Sequence, residues 1–293
     1  MRPFERLVIG SLVVAVVFVA TFWYLDRRPG SMQRLGQAAV PGAFAAALPP
    51  TSLAPTSTTV PPAGLALPLA PRPLRIVWAG DSLAGSLADA VVAAGAARGI
   101  EIMAQATPGC GMVRGLPADD GFSPIPWAAT CDGSVGAHNL GVAALGADVV
   151  TWLSTWETAN RIVDGQGYVF GTPEGDAVLL GLLDESVAQL TSGGARLVFV
   201  TVAPHTTAPN RPTRDPEAEQ RTLHLDALLR RYAGAHADHV AVLDLASLVC
   251  PTGPPCPTAV DGVTLRPDDG AHFAGGGPAW VAPRVLDLLL GPA

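Results

Sequence analysis

Leu74-Arg75-Ile76-Val77-Trp78-Ala79-Gly80-Asp81-Ser82-Leu83 decides how this chain folds. The apolar run from Leu74 to Ala79 is rich in β-formers and reads as a buried strand. From Leu83 to Ala97 the residues Leu83, Leu87, Val91 and Val92 share one face, which reads as a helix. Ser82 therefore stands on a strand-to-helix turn, where free backbone donors and the helix dipole favour a developing oxyanion. The bland alternative is that Asp81 or Ser82 only caps the helix.

Outward from that stretch the same alternation repeats. Strands are expected at Leu74 to Ala79, Ile100 to Gln105, Val149 to Ser154, Leu197 to Val202 and Val240 to Leu245. Helices are expected at Leu83 to Ala97, Val135 to Leu145, Asp176 to Leu190, Glu217 to Gly234 and Gly277 to Leu290. Strand-then-helix repetition implies an α/β fold, a three-layer α/β/α arrangement around a five-stranded parallel sheet of flavodoxin-like type. Ligands of such sheets bind at the carboxyl ends of the strands. Ser82, the Gly109 to Gly111 turn, Trp156 with Glu157, and His205 each follow a successive strand, and Asp269 with His272 lie beyond the last.

A serine hydroxyl is a poor nucleophile at neutral pH and needs a base within hydrogen-bond reach, usually held by a carboxylate. Asp269-Gly270-Ala271-His272 supplies both types: in a tight turn the carboxylate can hold one imidazole nitrogen while the other faces Ser82. Asp268 is an adjacent alternative. No GxGxxG or P-loop signature follows the first strand, which sets a nucleotide-binding reading aside.

From about Leu74 to Leu290 this layout resembles the SGNH hydrolase family, also called GDSL esterases. The resemblance implies that Ser82 is the nucleophile, that Asp269 and His272 are its carboxylate and base, and that Ser82 and a glycine after the second strand donate N–H groups to the oxyanion hole. Gly109 is the best match for that glycine, with Gly111 in reserve; turn formation around Cys110 is their ordinary role. One motif departs from the pattern. Where the family carries Gly-x-Asn-Asp, with its Asn completing the oxyanion hole, this chain reads Ser154-Thr155-Trp156-Glu157. Losing one such donor costs about 3 to 4 kcal/mol of transition-state stabilisation. Asn160 is a nearby substitute, Trp156 a surface for stacking on a sugar or for core packing, Glu157 an acceptor of sugar hydroxyls, and His205 a further substrate contact. Such a substitution, with cysteines near the rim, is similar to the extracytoplasmic SGNH domains associated with integral-membrane O-acyltransferases that modify cell-surface glycans.

The compartment follows from other features. The chain has 293 residues, 49% hydrophobic, with net charge −7, and nothing basic suggests nucleic acid. Leu7 to Leu25 is uncharged and, as a helix, about 28 Å long, enough to span a bilayer. Phe22, Trp23, Tyr24, Arg27 and Arg28 suit its interfacial end. A cleaved signal is the alternative, although the small-x-small stretch Ala43-Phe44-Ala45 lies far beyond the apolar run. Basic residues on both flanks leave orientation open, so the cysteines decide the side of the membrane.

Cys110, Cys131, Cys250 and Cys256 form no CxxC and no zinc-type cluster, so neither a metal nor another cofactor is expected. Of three possible pairings, Cys110 with Cys131 and Cys250 with Cys256 each bracket one Gly/Pro-rich loop; four reduced thiols in a cytoplasmic domain are the alternative. The expected organisation is an anchor over 1–29, a Pro/Ala/Ser/Thr-rich disordered linker over 30–73 with a reach on the order of 100 Å, and an SGNH-like domain over 74–293. The function expected is a single-pass, extracytoplasmic serine esterase or O-acyltransferase acting on acylated envelope carbohydrate, beside a separate membrane acyltransferase partner. A weakened module that binds glycan, or that partner, without turnover is the alternative.

Overall fold

The computed structural model describes residues 73–126, 128 and 131–291. The expected anchor, and all but the last residue of the expected linker, lie outside them; among the described residues no helix is long and apolar enough to cross a membrane. In chain order the elements are β1 (Arg75–Gly80), α1 (Ser82–Ala96), β2 (Glu101–Ala106), β3 (Leu116–Ala118), α2 (Val135–Ala144), β4 (Val149–Leu153), β5 (Asn160–Val163) and β6 (Gln166–Tyr168). They continue with α3 (Pro173–Leu190), β7 (Arg196–Val200), α4 (Pro216–Ala235), β8 (Val240–Leu243), α5 (Leu245–Val249), β9 (Ala259–Val260), β10 (Val263–Thr264) and α6 (Gly277–Leu290).

The main sheet is five-stranded and parallel, in the order β2-β1-β4-β7-β8. The chain thus turns back on itself between β1 and β4, which opens a crevice at their carboxyl ends. Both faces are covered because side chains alternate along each strand. Ile76, Trp78, Val198 and Val200 pack with α1, α5 and α6 on one face. Val77, Ala79, Leu197 and Phe199 pack with α3 and α4 on the other. The one hydroxyl buried at the centre of β4, on Thr151, donates to the carbonyl of Val77 at 3.2 Å.

Helix starts follow local chemistry. Asp81, Thr172, Asp215 and Asp244 each cap a helix by accepting a first-turn N–H, and Pro173 and Pro216 open α3 and α4. Two small additions frame the rim: the antiparallel sheet β3-β5-β6 and the β9-β10 hairpin.

Candidate active site

Gly80 lets β1 pass into α1 at close quarters. Its φ is 144°, and a Cβ there would lie 1.9 Å from the carbonyl oxygen of Leu153 on β4, so no side chain fits. Asp81 follows as the cap of α1: Oδ1 accepts from the Leu83 N–H at 2.7 Å, and Oδ2 accepts from the N–H and hydroxyl of Thr155 at 2.8 and 3.2 Å. One carboxylate therefore ties the loop after β1 to the loop after β4. Burial pushes its carboxyl up to about 6, against the pull of those hydrogen bonds. Ser82, half-buried, is the first residue of α1.

The far end of the chain meets it there. Asp269 Oδ1 accepts the N–H groups of Ala271 and His272, both at 2.9 Å, and its Oδ2 lies 2.6 Å from His272 Nδ1. His272 Nε2 lies 2.8 Å from Ser82 Oγ. An ionised carboxylate can only accept, so Nδ1 carries the proton and Nε2 is left to accept the hydroxyl hydrogen of Ser82. Burial alone would raise Asp269, but the bonds from the His272 ring and the two backbone N–H groups outweigh it and hold the carboxyl at about 2. Asp268, the sequence alternative, is exposed. Gly270, with φ 74°, packs so closely that a Cβ would lie 1.9 Å from the Thr206 carbonyl oxygen.

Gly109 and Gly111 lie in the loop after β2, which starts beside the end of β1: the Thr107 N–H donates to the Gly80 carbonyl at 2.8 Å. Cys110 between them is bonded to Cys131, with Cα atoms 5.5 Å apart, and Cys250 is bonded to Cys256. Two of the expected substrate residues are committed elsewhere. Glu157 is buried, and its Oε1 accepts the Met112 N–H at 2.5 Å, so it is not free to receive sugar hydroxyls. Asn160 is buried with both ends of its amide engaged: Nδ2 donates to Asp120 at 3.0 Å, and Oδ1 accepts from the Phe170 N–H and Arg221 at 3.0 and 2.9 Å. It does not replace the missing oxyanion donor. Trp156 is half-buried at the rim, its carbonyl accepting from Arg161 at 3.0 Å.

His205 lies on the loop after β7. It borders a cavity of about 390 Å³ that Thr155, Thr206, Arg211 and Thr222 also line. Burial first, then the charges of Arg211 and Arg266, hold its imidazole down at about 4, so it is neutral at physiological pH. His205 Nδ1 and Thr206 Oγ1 are buried without a hydrogen-bond partner among the described residues. Sequence reasoning passed over Thr155, Thr206 and Arg211; only Thr155 carried a signal, as part of the departing third motif. The described residues hold no group of three or more His, Cys, Asp or Glu able to take a metal ion.

The family model for the SGNH domain (fused to AT3 domains) matches residues 57–287. The chain belongs to the SGNH family. As an SGNH protein it is a carboxylic ester hydrolase or an O-acyltransferase. No curated protein sequence matches it. Similar solved structures include the periplasmic domain of a Salmonella ser. Paratyphi A lipopolysaccharide acetyltransferase, at 14% identity, TM-score 0.45, covering 71% of this chain and 80% of that one. The catalytic domain of Streptococcus pneumoniae peptidoglycan O-acetyltransferase A is 14% identical, with TM-score 0.41 and coverage of 74% and 90%. A GDSL-like lipase from Bacteroides thetaiotaomicron is 13% identical, with TM-score 0.45 and coverage of 73% and 85%.

Proposed function

We propose that this SGNH protein is a membrane-anchored, extracytoplasmic serine esterase or O-acyltransferase acting on acylated, above all acetylated, cell-envelope carbohydrate, with Ser82, His272 and Asp269 as its catalytic triad. The observation that carries the reading is the unbroken chain Ser82 Oγ, His272, Asp269, with contacts of 2.8 and 2.6 Å. In the first half-reaction Ser82 Oγ attacks the ester carbonyl carbon as His272 Nε2 takes the hydroxyl proton. The tetrahedral oxyanion faces N–H donors of Ser82 and the Gly109 to Gly111 loop. Collapse breaks the bond to the alkoxy group, which leaves with the proton from His272. Water or a sugar hydroxyl then gives its proton to His272, attacks the acyl-serine and regenerates Ser82.

Two features support the setting. Both cysteine pairs are oxidised, as suits an extracytoplasmic compartment, and the family's domain occurs fused to AT3 domains, which suits a separate integral-membrane acyltransferase as acyl donor. The stretch Leu7 to Leu25 would hold the protein at that membrane, with residues 30–73 as tether and 74–293 as the working domain.

Purified full-length protein, given a chromogenic acetate ester, tests the triad. Ser82→Ala should lose turnover, and mass spectrometry of intact protein after brief exposure should show one acyl group on the native chain and none on the variant. Equal rates in both forms would remove Ser82 from the mechanism.

A further inference from the structure

The loop that carries Gly109 and Gly111 is fixed by groups that the triad does not use. Glu157, 4% exposed, reaches across from the turn after β4 and accepts the Met112 N–H. Gly111 lies against the same carboxylate: a Cβ there would be 2.5 Å from Oε1 and 3.0 Å from the Trp156 Cβ. Arg161, 5% exposed, donates to the carbonyls of Val113, Arg114 and Gly115 at 3.4, 3.4 and 2.9 Å and to Trp156 at 3.0 Å. Asp132 accepts the Gly115 N–H at 2.6 Å, and the Met112 carbonyl accepts from Asn139 and Ser186 at 3.1 and 2.9 Å. A buried carboxylate and a buried guanidinium are expensive to keep, and here, apart from the bond to Trp156, the hydrogen bonds described go to the backbone of one loop.

We propose that Glu157 is a positioning residue for the oxyanion-binding loop, its carboxylate fixing the Gly111-Met112 peptide so that the N–H groups of the Gly109 to Gly111 turn face the acyl group on Ser82. The inference rests on Ser82 being the nucleophile. It gives the fourth residue of the departing Ser154-Thr155-Trp156-Glu157 motif a task in the chemistry without contact with substrate. What the task needs is reach. Glutamine at 157 keeps an acceptor oxygen at the same distance but removes the charge that balances Arg161; aspartate keeps the charge but withdraws the oxygens by about one bond, roughly 1.5 Å. A purely structural role as counter-charge to Arg161 demands the opposite ranking.

Full-length Glu157→Gln and Glu157→Asp, measured beside native protein and Ser82→Ala, separate the two. With a chromogenic acetate ester, Glu157→Gln should keep kcat within about threefold while its melting temperature falls. Glu157→Asp should stay folded and lose kcat by roughly 10- to 100-fold with KM within about twofold. Its affinity for a trifluoromethyl ketone, which forms a hemiketal oxyanion on the serine, should fall in parallel. Native kcat in Glu157→Asp, an equal kcat loss in both variants, a change confined to KM, or unfolding of either variant would each overturn the inference while leaving the triad intact. Equal turnover in native protein and Ser82→Ala would remove the triad reading and this inference together.

Discussion

The rim of the sheet has two unlike sides. On the β2 side, the loop between Thr107 and Gly115 is cross-linked by Cys110–Cys131 and bound by Glu157, Arg161 and Asp132. On the β7 side, the loop from Ala203 onward leaves His205 Nδ1, Thr206 Oγ1 and one amino group of Arg266 buried without hydrogen-bond partners among the described residues. Burial lowers Arg266 to about 10, only partly offset by Asp269. Buried polar groups without a partner are unfavourable unless water or a ligand completes them. The difference is one of stiffness: one side is cross-linked and hydrogen-bonded to the body of the fold, and the other, bordering the cavity, is held by fewer polar contacts.

Removing the parts common to both sides should have the largest effect. Ser82→Ala, or Asp269→Asn, which deprives His272 of its orienting carboxylate, should lower kcat by about 10³-fold or more with little change in melting temperature. Next come the disulfides. Replacing Cys110 and Cys131 together by serine should cost about 3 kcal/mol of stability and also lower kcat. The same change at Cys250 and Cys256, which closes a shorter loop, should cost about 2 kcal/mol and leave kcat alone. Denaturant titration with paired kinetics checks this, and equal kcat for the two double variants would break the comparison.

On the cavity side, His205→Gln or Arg211→Ala should raise KM for an acylated sugar several-fold while sparing turnover of a small chromogenic acetate. A matching loss on both substrates would place these residues in the chemistry instead.

The smallest effect concerns neither side directly. Asp226, buried beneath the β7 end, accepts the Val202 N–H at 3.0 Å, and burial pushes its carboxyl up to about 7 against that bond. The folded state therefore holds a proton that the unfolded chain releases near pH 4, so this group favours folding below that pH and loses its contribution as pH rises through 7. Asp226→Asn should stabilise the protein by roughly 1 to 3 kcal/mol at pH 8 and by little at pH 4, as read from melting curves at both.

All five main strands and the five long helices were legible, with ends displaced by at most a few residues, because both faces of a parallel sheet demand apolar runs and each helix needs an apolar stripe. The short β3-β5-β6 sheet and the β9-β10 hairpin were not, since two to four residues establish no period. Ser82, Asp269 and His272 stood out by type and by place after strands. Glu157 was placed on the rim by the same rule and Asn160 by nearness to it, yet both turn inward, because position along the chain gives the place of the Cα and not the direction of the side chain. Arg161 carried no signal at all, since its partners are backbone groups and any sequence offers those; nor did Thr206, whose place is set by its backbone pairing with Gly270.

Ser82 and His272 are 190 positions apart, and α6, which follows His272 almost at once, packs beside α1, where Arg98 meets Asp287 at 2.7 Å. A chain made amino-terminus first carries Ser82 early but lacks its His272 partner until the last segment has docked. Incomplete copies, whether stalled in synthesis or clipped near the carboxyl end, should therefore be chemically silent toward any ester.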